Sequence, residues 1–167
     1  LEMSQEKTLI TNAQKPAKFL GYEVLVRKTD VTKRNKFNVP VRSFNGTVVL
    51  KVATETVKNR LEHYEAIKYK MENGVQTWFS KLRGKLMKKK IEDIVARYNS
   101  EIRGFYNYYS IANNVSYAAS KFGYIMEYSM YHTIAAKTNS SISKVIDKYK
   151  KGNDIICLLY TSPSPRD

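Results

Sequence analysis

Residues 91–112, IEDIVARYNSEIRGFYNYYSIA, decide how this chain folds. Ile91, Ile94, Val95, Tyr98, Ile102, Phe105, Tyr109 and Ala112 follow a helical repeat and sustain one apolar stripe for about six turns. Inside it, Phe105, Tyr106, Tyr108 and Tyr109 place four rings within five positions. Phe105 and Tyr109 fall on the stripe and read as core, whereas Tyr106 and Tyr108 border it on opposite sides. Arg103, Asn107, Ser110 and Asn114 make a polar strip on another face. Tyrosines at a core edge commonly bury the ring and leave the hydroxyl wet. Beside a basic strip they also stack on unpaired bases while Arg and Asn hold phosphate or sugar, and the residues alone leave both readings open. Gly104 costs on the order of 1 kcal/mol relative to Ala in mid-helix. Close approach of another helix or of a nucleic-acid backbone is the usual reason for such a glycine.

Just upstream, KLRGKLMKKK (81–90) gathers Lys81, Arg83, Lys85, Lys88, Lys89 and Lys90 with no acidic residue among them. The block TWFSKLRGKLMKKK (77–90), which contains this run, reads as a second helix or a broken one, interrupted at Gly84. Before it, Thr54 or Thr56 is positioned to cap a helix with Val57, Leu61, Tyr64, Ile67 and Met71 on one face, ended by Gly74. Downstream, residues 118–137 and 141–151 read as two more helices, the last turning Ile142, Val145, Ile146 and Tyr149 inward. The N-terminal third has period two instead. FLGYEVLVRK (19–28) alternates Leu20, Tyr22, Val24 and Val26 on one face of a strand. VPVRSFNGTVVLKV (39–52) sets Asn45-Gly46 between β-branched runs, a type I′ hairpin signal, with Pro40 at a strand start or edge. The expected fold is therefore mainly α with a small antiparallel β piece, of the α+β class.

Charge narrows the function. Twenty-nine Lys and Arg against 15 Asp and Glu give a net charge of +14 over 167 residues, which points to a polyanion as partner. A basic surface also serves solubility or attracts anionic lipid. The single cysteine, Cys157, excludes an internal disulfide framework and a cysteine-rich zinc site, and fits a reducing compartment. No apolar run approaches the roughly 20 residues that span a bilayer, and no signal peptide opens the chain, so a soluble, cytoplasmic protein is expected, with no membrane partner. Catalytic patterns are missing: His63 and His132 have no metal-spaced partners, and no paired carboxylates, Gly-rich phosphate loop or Ser-His-Asp set stands out. No catalytic or metal-ligating residue is assigned.

Four stretches in order, EKTLITNAQKPAKFLGYEV, RSFNGTVVLKV, YNSEIRGFYNYYSIANN and HTIAAKTNSSISKVIDKY, resemble the end of group II intron-encoded reverse transcriptase/maturases. The resemblance covers residues 6–151, and RGFYNYY followed by HTIAAK is its most specific part. It implies that residues 1–52 are the last part of a polymerase palm, with Phe19, Leu20, Gly21 and Tyr22 at a primer-grip-like turn and Lys7 near the incoming nucleotide. Residues 53–156 would be the helical thumb, or maturase domain X. Arg103, Gly104, Asn107, Tyr108 and Tyr109 match its thumb motif, and Lys137 the next one. Lys81, Arg83, Lys85, Lys88, Lys89, Lys90, Arg97, Arg103, Asn107, Tyr108 and Lys137 are the resulting candidates for RNA contact. The implied partners are intron RNA and a template-primer duplex, the implied roles RNA splicing and intron mobility.

The family's Tyr-Ala-Asp-Asp turn does not occur in this sequence. Two-metal phosphoryl transfer needs such carboxylates, so the segment is expected to be inactive alone, and Mg²⁺ is expected only in a complete polymerase. Residues 157–167, with their two Ser-Pro steps, read as a non-native tail, a native Ser-Pro linker being the alternative. From another class, the rival reading is a non-enzymatic protein-interaction bundle whose tyrosine edge docks a partner protein and whose charge is incidental.

Overall fold

The computed structural model describes residues 12–28, 31–42, 45–72, 74–151 and 154–155. The chain opens with a three-stranded antiparallel sheet in the order β1 (Ala17–Phe19), β2 (Tyr22–Val26), β3 (Val48–Val52). It continues through α1 (Thr54–His63) into a hairpin of β4 (Ile67–Glu72) and β5 (Val75–Ser80). A short 3₁₀ turn at Gly84–Leu86 leads into α2 (Ile91–Tyr109), α3 (Val115–Thr138) and α4 (Ile142–Tyr149). A last pair, β6 (Lys150–Lys151) and β7 (Asp154–Ile155), closes the described chain. The α+β class holds.

Three expectations change. The period-two stretch at 19–28 is two strands: Leu20 and Gly21, at φ 50° and 84°, form the two-residue turn of the β1–β2 hairpin, as a type I′ geometry requires. Leu20 leaves the strand face and is 65% exposed. Asn45-Gly46 does turn the chain, with Gly46 at φ 75°, but β3 pairs with β2 in the register Val26↔Val48 to Tyr22↔Val52. Pro40 instead makes an isolated bridge to Arg34, inside a long β2–β3 connection.

The third change is larger. The helix over 54–74 stops at His63, and Ile67 and Met71 belong to β4, paired with β5 from Ile67↔Ser80 to Glu72↔Val75. The predicted helix over 77–90 is accordingly β5 followed by the 3₁₀ turn. Ile67 and Met71 keep the i, i+4 spacing of Val57 and Leu61, yet with Tyr69 they also alternate at period two. Asn73-Gly74, a second hairpin dipeptide, settles the ambiguity in the sequence, and Gly74 stands at φ 75°.

α2 and α3 pack as a helical hairpin around one core. Ile94, Val95, Tyr98, Phe105 and Tyr109 of α2 are buried, as the stripe predicts, and the Phe105 and Phe122 rings stack at 4.2 Å. α3 is the central helix. Its second half is buried on several sides, at Ile125, Met126, Ser129, Met130, Tyr131, Thr133, Ile134 and Ala135, because it packs against α1, α2, α4 and β5. Val145 and Tyr149 bury α4, with Ile142 and Ile146 packed beside them.

The sheet joins the same core through Tyr22 and Val52. Its open edge is covered by the α2–α3 loop: Asn113 Oδ1 accepts from the Leu50 N–H, and Asn114 both accepts from and donates to the backbone of Val52. Two asparagine side chains thus stand in for a fourth strand, satisfying backbone groups that an edge leaves unpaired. Among the described residues, no helix is long and apolar enough to cross a membrane.

Candidate functional site

The polar and aromatic residues of α2 sort into two patches at its ends. A 19-residue helix is about 27 Å long, so the tyrosine-rich C-terminus and the lysine-rich N-terminus are separate surfaces.

At the C-terminal end, the β1–β2 turn packs against the tyrosines. Tyr22 donates its hydroxyl to the Tyr108 carbonyl at 2.5 Å, and Tyr108 returns a longer hydroxyl bond to the Leu20 carbonyl at 3.4 Å. The Tyr22 and Tyr108 rings stack at 6.1 Å, and Tyr109 meets both edge-on. Thr56 of α1 donates to the Gly21 carbonyl at 2.8 Å. A Cβ on Gly21 would lie 2.6 Å from the Tyr109 hydroxyl, so glycine is needed here for contact as well as for φ. Burial pushes the Tyr109 phenol up, against the opposing pull of Arg60.

These elements enclose an open cleft of about 470 Å³ lined by Leu20, Gly21, Thr56, Asn59, Arg60, His63, Tyr108 and Tyr109. Tyr108 keeps half of its surface exposed beside it, and Leu20, in its lining, is 65% exposed, as is the preceding Phe19. The cleft therefore offers an aromatic face, an amide, an imidazole and a guanidinium on one concave surface. Asn59 and Arg60 were not singled out in the sequence, and His63 was considered there only as a metal ligand without partners; only the fold turns this side of α1 toward the tyrosines. Tyr106, Asn107 and Arg103 lie exposed along the neighbouring surface of α2. Gly104 is exposed too, and a Cβ there would meet nothing within 4 Å, so packing against another helix does not explain it. Asn114 leaves the polar strip to hold β3, and Ser110 bonds the Asn107 carbonyl.

At the other end, residues 81–90 are held by a buried polar network. Tyr98 shares hydrogen bonds with Ser129 and Thr133 at 2.8 and 3.1 Å, Ser129 donates to the Lys81 carbonyl, and Thr133 accepts from the Arg83 N–H. Lys137 donates to the Met87 carbonyl at 3.0 Å, which brings its charge beside the lysine run. Two carboxylates distant in sequence enter this run. Glu101, 5% exposed in its side chain, takes both guanidinium nitrogens of Arg83 at 2.6 and 3.2 Å and Nε of Arg97 at 2.7 Å. Arg83 also lies over the Tyr98 ring at 4.9 Å. Burial pulls its guanidinium pKa down, and the bonds and charge of Glu101 more than offset that, leaving it raised. Glu65 pairs with Lys85 at the surface.

Lys81, Lys88, Lys89 and Lys90 remain as exposed cations. Lys88 to Lys90 stand at the positive end of the α2 dipole, an unfavourable place for lysine that Glu92 and Asp93 only partly offset. An anion bound there would be favoured by lysines and helix terminus together. Lys7, the candidate near an incoming nucleotide, lies outside the described residues, as does the tail at 157–167.

Comparison with known proteins follows the same outline. A family model described as type II intron maturase matches residues 32–163. Over 153 residues the chain is 37% identical to the group II intron-encoded protein LtrA of Lactococcus lactis subsp. cremoris, covering 92% of this chain and 25% of that protein. It is 32% identical over 165 residues to the putative COX1/OXI3 intron 1 protein of Saccharomyces cerevisiae, covering 93% of this chain and 19% of that one. The chain thus spans a quarter or less of the length of these relatives. Matched by the family model over well more than half of its length, it belongs to the type II intron maturase family.

Proposed function

We propose that this chain is the RNA-gripping end of a group II intron reverse transcriptase/maturase, acting in the cytoplasm of a bacterial host. It binds intron RNA and template-primer duplex, assisting splicing and mobility by stabilising folded RNA. The RNA performs the transesterifications, and the side chains of this chain need not touch the reacting phosphate. Any Mg²⁺ chemistry belongs, in this reading, to polymerase residues outside this sequence.

The cleft at the C-terminal end of α2 carries the proposal. A half-exposed tyrosine is fixed against a strand turn with Arg60 and Asn59 alongside, which suits an unpaired or terminal base stacked on the ring with its phosphate on the guanidinium. The lysines at the far end of α2 supply a second phosphate contact about 27 Å away, a span suited to a folded RNA or a duplex rather than to a small anion. The test is Tyr108→Ala against Tyr108→Phe, with affinity for a structured intron RNA measured beside thermal stability. Stacking predicts a loss of about 1–3 kcal/mol in binding for Ala and little for Phe. A lower melting temperature with unchanged affinity would reduce Tyr108 to a packing residue and remove the cleft from the interface.

A further inference from the structure

A second aromatic surface lies on α3, beside a cleft that shares no lining residue with the one at the C-terminal end of α2. Tyr117, Lys121, Tyr124 and Tyr128 are spaced i, i+4, i+7 and i+11, forming one stripe about 16 Å long. Tyr117 is 71% exposed and Tyr124 58%. Rings this open contribute little to the core; Tyr128 is half-buried against the core and anchors the stripe, so Tyr117 and Tyr124 are the rings left facing outward, and they call for a partner. Tyr124 and Tyr128 lie 4.7 Å apart, ring to ring.

Between this stripe and β5 is a cleft of about 350 Å³ lined by Gln76, Thr77, Trp78, Lys121, Tyr124 and Ile125. Its chemistry is selective. Trp78 and Tyr124 supply aromatic walls, Ile125 an apolar floor, and the Gln76 amide and Thr77 hydroxyl can donate and accept. Lys121 holds its ammonium 4.0 Å from the centroid of the Trp78 ring. None of the six lining residues is acidic, and Glu127, on the neighbouring turn of α3, accepts the Tyr131 hydroxyl.

We propose that this cleft takes up an unpaired nucleotide of the bound RNA, a site separate from the cleft at the C-terminal end of α2. The inference rests on the reading that the chain binds RNA. The base stacks on Tyr124 with its edge read by Gln76 and Thr77, and Lys121 leaves the Trp78 ring for the phosphate. Tyr117 extends the platform to a flanking base, and Tyr128, half-buried, backs the Tyr124 ring. A paired segment cannot enter, because its bases present no free face to the rings.

Trp78 is the chain's single tryptophan and so reports on its own cleft. The full chain is titrated with a short mixed-sequence single-stranded RNA and with a blunt-ended, fully paired RNA duplex of equal phosphate number. Tryptophan emission and the anisotropy of labelled RNA are followed together. The single strand is expected to change Trp78 emission with the same Kd as the anisotropy, and the blunt-ended duplex to bind without that change. Tyr124→Ala should raise the single-strand Kd about 5- to 140-fold, and Tyr124→Phe should restore it. Because Tyr124 is exposed, a circular dichroism melt will separate lost binding from lost folding, and Lys121→Ala provides a second variant. RNA bound with Trp78 silent would overturn the nucleotide site and leave the general RNA reading standing. No binding of either RNA would overturn both.

Discussion

Replacing Glu101 with Gln removes one negative charge from a site where two guanidinium groups converge. Arg83 loses an ionised partner for two of its donors while its side chain is 11% exposed, and Arg97, 58% exposed, simply returns to water. Removing one member of a buried ion pair costs about 3–5 kcal/mol, because the remaining charge stays desolvated. Gln keeps the shape and one acceptor, and the Tyr98 face still touches the cation, so the lower end of the range, about 3 kcal/mol, is expected. At roughly 2–4 °C per kcal/mol for a chain of this size, the melting temperature should fall by about 6–12 °C. Thermal and urea unfolding followed by circular dichroism give both quantities. The double variant Arg83→Met with Glu101→Leu, apolar on both sides, should recover most of the loss, and its RNA affinity should keep the salt dependence of the parent. A Glu101→Gln variant within about 0.5 kcal/mol of the parent would refute a desolvated pair. A flattened salt slope in the double variant would show that Arg83 reaches phosphate after all.

Three further outcomes follow from the same geometry. Replacing Lys88, Lys89 and Lys90 together with Ala should weaken RNA binding and flatten the log-log salt slope by as much as about 2, whereas an unchanged slope would take the N-terminal end of α2 out of the interface. Gly104→Ala should raise stability by about 0.5–1 kcal/mol, since nothing meets the added methyl, and should lower RNA affinity if a nucleic-acid backbone passes there; gains in both would mean that Gly104 serves neither role. His132 has its pKa lowered by burial and then by Lys68, so the unfolded chain binds the extra proton more readily. Its contribution to stability is complete above the unfolded value of about 6.5 and is lost as pH falls below it, so melting temperatures at pH 7.5 and 5.5 should differ less in His132→Gln than in the parent.

The helical half was legible because its stripes are long. Phe105 and Tyr109 of α2, and Val145 and Tyr149 of α4, are buried where the 3.6-residue period placed them, and Tyr106 and Tyr108 stand at its edge. The stretch between α1 and α2 was not legible by the same signal. Ile67 and Met71 satisfy two periods at once, and only Asn73-Gly74 distinguishes them. The site was legible in part. Sequence gathers 81–90 as one cationic run, but Glu101 and Glu65 reach it from α2 and the α1–β4 turn, which no local pattern reveals. Arg60 and His63 gain meaning only when the Leu20–Gly21 turn, 35 or more residues earlier, closes the cleft over α1.

The central claim is that this chain folds into a surface that recognises folded intron RNA. Its most direct test is a filter-binding titration of the chain against a structured group II intron RNA and a length-matched unstructured RNA at several salt concentrations. Four or five phosphate contacts predict a log-log slope of roughly −3 and tighter binding to the intron. Equal, weak binding to both RNAs would contradict the claim and leave only a basic fragment, with recognition residing elsewhere.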